Sequence, residues 1–159
     1  MKISIVCVGK IKENFYREAV AEYAKRLSRY CKLEIIEVSD EKTPDGASLQ
    51  TEDQIKEKEG RRILEKLQED AFICTLEISG KKLSSEAFAR WMEKLTVGGI
   101  SHIMFVIGGS LGLHESVCRR ADFSLSFSDM TFPHQLMRVI LSEQIYRAFR
   151  IIHGSPYHK

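Results

Sequence analysis

Five short apolar runs, separated by stretches with helical spacing, constrain the fold of this chain more than any other feature. They are Lys2–Val8 (KISIVCV), Leu33–Val38 (LEIIEV), Ala71–Ile78 (AFICTLEI), His102–Ile107 (HIMFVI) and Phe123–Phe127. Each is short, rich in β-branched or aromatic residues and bounded by glycine, serine or charge, which is the signature of a strand. Several are apolar almost throughout, and such strands belong to parallel sheets covered on both faces. The intervening segments supply the helices. In residues 14–31, Tyr16, Val20, Leu27 and Cys31 fall on one face, with Arg17, Glu18, Glu22 and Arg29 elsewhere. Residues 51–69 form a charged helix in which Glu57, Arg61 and Glu65 recur every fourth position. Ser84 caps a helix that Gly98-Gly99 ends, His114–Arg119 is a short helix, and Pro133 opens one that runs to about Ile152. The expected architecture is α/β: about five mainly parallel strands with helices on both faces, in a single domain over residues 1–159.

Composition narrows the function classes. Apolar residues make up 43% of 159, enough for a globular core. No apolar run approaches the roughly 18 residues of a membrane span. Met1-Lys2 is followed by a run that reads as a strand rather than a signal peptide, so the expected location is the cytoplasm. Cys7, Cys31, Cys74 and Cys118 are scattered without CxxC spacing, so they read as reduced, packed thiols and no metal site is expected. The net charge of +2 is unevenly placed: residues 40–70 hold ten acids and six bases, while residues 131–159 hold one acid, four bases and three of the five histidines. The C-terminal end is therefore the end suited to a polyanion or an anionic transition state, although ordinary solvated charge accounts for it equally well.

In open α/β sheets ligands bind beyond the C-terminal ends of strands. Three such ends carry candidate chemistry: Thr75–Gly80, the G-G-x-x-G turn Gly108–Gly112, and the loop Phe127–Pro133. The turn is neither GxGxxG nor GxxxxGK[ST], so dinucleotide and P-loop readings lack their fingerprints. Its glycines serve close ligand approach or simply a tight turn. The loop, with aromatics, hydroxyls and a thioether, suits wrapping an adenine and a methionine chain, or joining the core. On the last helix Met137, Leu141, Ile145, Ala148 and Ile152 form a stripe for core or dimer contact, and Glu143–Arg147 is an i,i+4 pair that reads simply as a surface salt bridge.

Taken together these segments resemble one family. The opening K-I-x-I-V-x-V-G-K, L-x-x-x-G (Leu76–Gly80), F-V-I-G-G-S-x-G-L (Phe105–Leu113), S-L-S-F-S-x-M-T-F-P-H-Q (Ser124–Gln135), R-V-x-L-x-E-Q-x-Y-R-A (Arg138–Ala148) and the terminal Y-H-K (Tyr157–Lys159) look like the RlmH family of SPOUT-class ribosomal RNA methyltransferases. The resemblance covers essentially the whole chain. It implies an α/β knot with a C-terminal trefoil, an arrangement that general folding rules would not suggest. It also implies a homodimer, S-adenosyl-L-methionine as cofactor, and N3 methylation of pseudouridine 1915 of 23S rRNA in the assembled ribosome. Cofactor contacts carried over by position fall on Leu76, Gly108, Phe127, Ser128, Asp129, Met130, Thr131 and Phe132, and positions facing the target nucleotide fall on Arg147, Tyr157 and His158. One departure is that Ser110 and Leu111 replace a Pro-Glu pair common in that turn.

On this reading His158 is the expected base for the N3 proton, Arg147 stabilises the ring anion and Tyr157 stacks on or hydrogen-bonds the base. The competing readings are a non-enzymatic ribosome-assembly or RNA-binding factor, a flavodoxin-like or nucleotide-binding protein, and, more remotely, a dimerisation module. Binding of S-adenosylmethionine, or of flavin or phosphate, separates them.

Overall fold

The computed structural model describes all 159 residues. Ten elements alternate: β1 (Lys2–Val8), α1 (Asn14–Leu27), β2 (Lys32–Val38), α2 (Leu49–Leu64), β3 (Phe72–Lys82), α3 (Ser85–Val97), β4 (His102–Ile107), α4 (Glu115–Arg120), β5 (Phe123–Ser126) and α5 (His134–Ile152). The five strands form one parallel sheet in the order β2-β1-β4-β3-β5.

Alternation within the central strands explains why they are apolar throughout. Side chains of successive strand residues point to opposite faces. Ile3, Ile5 and Cys7 of β1 and Ile103, Phe105 and Ile107 of β4 enter a core with Leu27, Phe88, Met92, Leu141, Ile145 and Phe149, which come from α1, α3 and α5. The intervening Val6, Val8, Met104 and Val106 enter a second core with Ile63 of α2 and Val117 of α4. With a helix layer on each face, no position in β4 is left for water. The last-helix stripe resolves as core: Leu141, Ile145 and Ala148 are buried, with Met137 and Ile152 packed against them.

Element ends differ from expectation where a turn or cap decides them. The first helix stops at Leu27 rather than Cys31, because the amides of Tyr30 and Cys31 turn back to the Leu27 carbonyl. The second begins at Leu49, where Ser48 Oγ accepts from Thr51 N–H at 3.1 Å, and ends at Leu64. Pro133 is the N-cap of α5 rather than its first helical residue, and β5 ends one residue before Phe127. The expected Ser84 cap is present, accepting from Ala87 N–H at 3.1 Å.

The largest difference concerns β3. Ser79-Gly80 reads as a stop, yet the strand continues to Lys82: after a register shift between Leu76 and Lys81, Lys81 and Lys82 pair again with Leu125 and Ser126. Gly80 is where the bulged segment passes β5. A Cβ there would lie 2.7 Å from the carbonyl carbon of Leu125 and 2.8 Å from the carbonyl carbon and oxygen of Ser124. These are backbone atoms and cannot swing aside. Gly80→Ala is therefore expected to cost about 1–3 kcal/mol as an overpacking substitution, read as a fall in urea midpoint at unchanged m-value. An unchanged midpoint would mean the two strands separate more easily than this close approach implies.

Candidate functional site at the carboxyl edge of the sheet

Because all strands are parallel and β4, β3 and β5 are neighbours, the turns that follow them share one edge. The glycine turn closes on itself. Gly109 and Gly112 form an antiparallel bridge, Gly112 N–H donates to Gly109 O at 3.1 Å, and Gly112 has φ +87°. A Cβ on Gly108 would sit 2.9 Å from the Gly112 carbonyl carbon, so the tight-turn role of this glycine is demanded by the chain itself. Behind the turn is a group that sequence patterning missed. The Glu59 carboxylate is buried, accepts from Glu41 N–H at 3.0 Å, and would lie 3.1–3.2 Å from a Cβ on Gly109. Burial pushes its pKa up.

The loop after β5 divides between the two roles its composition allowed. Phe127 is half-buried and, with Leu76, packs against the main core. Asp129, Met130 and Thr131 are exposed, Met130 at 73%. Ser128 braces the loop: its Oγ accepts from Met130 N–H at 3.0 Å and its carbonyl from Ser126 Oγ at 3.2 Å. Lys82 on the extended β3 pairs with Asp129 at 2.6 Å, joining two of the strand ends. The amide N–H groups of Ser110, Leu111, Thr131 and Phe132 donate to no protein acceptor. Ser110 and Thr131 are exposed and Leu111 and Phe132 half-buried, so these amides are open to water or to a ligand that approaches this edge.

Beneath the loop, the Glu77 carboxylate accepts from Thr75 Oγ1 at 2.6 Å, from Ser124 Oγ, and from Cys118 Sγ at 3.2 Å. Burial raises the Glu77 pKa, but the three donors together hold it below the usual carboxylate range. The same burial and the adjacent carboxylate raise the Cys118 thiol to about 11. Cys118 therefore locks α4 to β3 and is no nucleophile at neutral pH.

The C-terminal tail folds back along α5. Ser155 N–H donates to Arg150 O at 2.9 Å, and Gly154 supplies φ +64° at the reversal. This brings together the three residues expected to face a nucleotide. Arg147 donates through Nε and Nη2 to Glu143 Oε1 at 2.9 and 2.6 Å, and its guanidinium lies 4.7 Å from the centre of the Tyr157 ring. Tyr157 Oη donates to the same Glu143 oxygen at 3.2 Å, and its ring meets Tyr146 edge-on at 4.9 Å. The Glu143–Arg147 pair is thus the half-buried base of a cluster, not a loose surface bridge. His158 is held at both nitrogens, with Nδ1 3.2 Å from Arg147 Nη1 and Nε2 2.8 Å from Glu86 Oε1 at the start of α3. A guanidinium can only donate, so Nδ1 accepts and the proton resides on Nε2, donated to Glu86. That hydrogen bond is the main cause of the Glu86 pKa falling to about 2. Glu86 lies 72 residues from His158 and nothing in its local sequence marks it.

The family described as predicted SPOUT methyltransferases matches residues 1–158. Proteins named ribosomal RNA large subunit methyltransferase H from Clostridium botulinum (strain Kyoto / Type A2) and Bifidobacterium adolescentis are 60% and 59% identical over 159 residues, covering all of this chain and all of theirs. The chain belongs to the RlmH family of SPOUT methyltransferases. A solved structure titled as a probable methylase family protein from Haemophilus influenzae Rd KW20 superposes on 99% of this chain and 70% of its own with TM-score 0.55 at 12% identity, a likeness of fold.

Proposed function

We propose that residues 1–159 act as one cytoplasmic methyltransferase domain that transfers a methyl group from S-adenosyl-L-methionine to N3 of pseudouridine 1915 of 23S rRNA in the assembled ribosome. The observation that carries this reading is the pairing of two sites in an RlmH-family chain: a donor-rich carboxyl edge and a tail cluster of Arg147, Tyr157 and His158. The names of the full-length relatives support the substrate class.

The unpartnered amides of Ser110, Leu111, Thr131 and Phe132 fit the adenine and ribose of the cofactor, with Leu76 and Phe127 as apolar walls and Ser128 fixing the loop. Gly108 keeps the turn low beside them. Met130 and Asp129 remain exposed and available to a ligand. When bound, the cofactor supplies an electrophilic methyl group on a sulfonium. The protein's part is alignment and proton management. N3 of a uracil-type ring holds its proton at neutral pH, so a base must take it. His158 offers Nδ1 for this once Arg147 turns from it toward the ring, with Glu86 holding the Nε2 proton and the ring's orientation. Arg147 then faces the developing charge on the ring oxygen.

A second copy of the chain completes the site. Arg147 lies thirteen residues along α5 from His134, about 20 Å at 1.5 Å per residue. The face of α5 that leads to Glu143 and Arg147 carries Leu136, Val139 and Ile140, half-buried apolar side chains that enter neither core. That patch suits a homodimer in which the tail cluster of one protomer meets the carboxyl edge of its partner. Membership of the SPOUT family supports a threaded, knotted C-terminal region.

The test is mass mapping of 23S rRNA from a strain lacking the enzyme, before and after incubating its ribosomes with purified protein and cofactor. A gain of one methyl at the target pseudouridine is expected. Cofactor binding by calorimetry without any methyl gain would favour a different substrate, and no cofactor binding would return the reading to a non-enzymatic RNA-binding factor.

A further inference from the structure

A cleft of about 180 Å³ opens between α1 and α5, away from the carboxyl edge of the sheet. Its wall carries Lys25, Arg26, Arg29 and Arg150 against one acid, Glu22. Glu22 is committed to Arg26 at 2.9 Å. Lys25, Arg29 and Arg150 have no carboxylate within ion-pair distance.

Arg150 is the informative member. Its guanidinium is oriented from several sides: Nη1 donates to Tyr146 Oη at 3.1 Å, and the group lies 5.8 and 5.9 Å from the Tyr146 and Tyr157 ring centres. Its Nε is buried away from the cleft, whereas Nη2 makes no hydrogen bond within the protein and stays accessible at the cleft wall. A guanidinium held in place by aromatic rings with that edge free is arranged for an anion with several acceptor oxygens. The cleft is also not isolated. A wider groove, lined in part by Ser28, Lys32 and Leu33, shares Arg29 and Tyr30 with it. Cations spaced along a continuous groove suit an extended polyanion better than a single small ion.

From this geometry we infer that the α1–α5 groove binds the phosphodiester backbone of RNA flanking the target nucleotide. The inference rests on the proposed function for the identity of that RNA. Arg150 lies three residues beyond Arg147 on α5, a rise of about 4.5 Å, and both guanidiniums approach the same Tyr157 ring. A nucleotide held at the tail cluster therefore delivers its neighbouring phosphate to Arg150, and the chain of phosphates continues past Arg29 to Lys32. Specificity stays with the tail and the ribosome's shape, because phosphate contacts position a nucleic acid without reading its sequence.

The experiment compares wild type with the double variant Lys25→Gln/Arg29→Gln and with Arg150→Lys, measuring co-sedimentation with large ribosomal subunits over a salt series. Binding is read separately from methyl transfer, so a failure of the methylation assay alone bears on the proposed function and not on the groove. The double variant is expected to bind roughly tenfold more weakly at physiological salt, with a log–log salt slope shallower by about 0.7 for each phosphate that the groove no longer neutralises. In turnover the effect falls on KM for ribosomes, while cofactor affinity by calorimetry is retained. Arg150→Lys, which keeps the charge but not the fork, is expected to weaken binding at little change in slope. An unchanged affinity and slope in the double variant would overturn the inference. So would a change of the double variant from dimer to monomer in sedimentation velocity, which would assign the groove to the second copy.

Discussion

Glu37→Ala is expected to be the most destabilising single substitution outside the apolar core, at about 3 kcal/mol, the lower end of what stranding a buried charge costs. The reason lies with its partner. Arg138 of α5 is fully buried, donates to Glu37 Oε2 at 2.6 Å and to the Gly9 carbonyl at 2.6 Å, and has a neutralising carboxylate only in Glu37. Removing Glu37 leaves a guanidinium that cannot shed its proton and still has the Gly9 carbonyl, which sets the loss below the top of the range. For a chain of this size the fall in Tm is about 6–12 °C. Arg138→Met is expected to cost less, because it leaves a carboxylate whose side chain is 37% exposed and can be hydrated. The order Glu37→Ala worse than Arg138→Met is the informative result in thermal unfolding, and the reverse order would show that Arg138 acts mainly by filling space.

The same pair predicts an acid limb. Burial raises the Glu37 pKa, but the hydrogen bonds from Arg138 and Ile11 N–H and the guanidinium charge together bring it below the ordinary value. A carboxyl depressed in the fold contributes stability above its unfolded pKa of about 4.3, and that contribution is lost as pH falls through the lower folded value. His134, whose pKa burial and Arg138 lower, acts in the same direction at higher pH, since the unfolded chain takes up its proton first. In Glu37→Gln the limb below about pH 4 should flatten.

What is legible in the sequence divides along physical lines. β1 and β4 are readable to the residue because they sit mid-sheet between two apolar layers, and no turn or cap shares their burial pattern. β3 reads short because a glycine that serves close backbone passage has the same appearance as one that serves a turn; only the neighbouring strand distinguishes them. Arg138 looks like any solvated base on a helix, since a buried guanidinium differs from an exposed one only in partners drawn from distant segments, here 101 residues away for Glu37. The tail residues Tyr157 and His158 stand out as an aromatic and an imidazole in succession at a polar chain end, and family resemblance adds their role. Their anchors are less visible still, because Glu86 is an ordinary first-turn acid until the chain end folds onto it. Local chemistry is legible and the pairings that give it direction are not.

Those pairings make Arg147→Ala the expected deepest loss of turnover, about 100–1000-fold, as for removal of one donor aimed at a developing anion. One guanidinium here does three things. Through Nε and Nη2 it is fixed by Glu143, through Nη1 it sets the accepting nitrogen of His158, and through its face it holds the Tyr157 ring. Lysine presents a compact charge without the fork, so Arg147→Lys should recover little. Glu86→Gln isolates the orienting function: an amide still contacts His158 but no longer favours the Nε2 proton as a carboxylate does, so kcat should fall less and the acid side of its pH profile should move, with KM for ribosomes near wild type. His158→Ala should lose that pH dependence altogether. Cofactor affinity in all of these variants is expected to remain that of wild type, because the carboxyl edge is built from other residues. Arg147→Ala turning over within a few-fold of wild type would remove the tail cluster from the chemistry and leave the carboxyl edge as a cofactor site whose reactive partner comes from elsewhere.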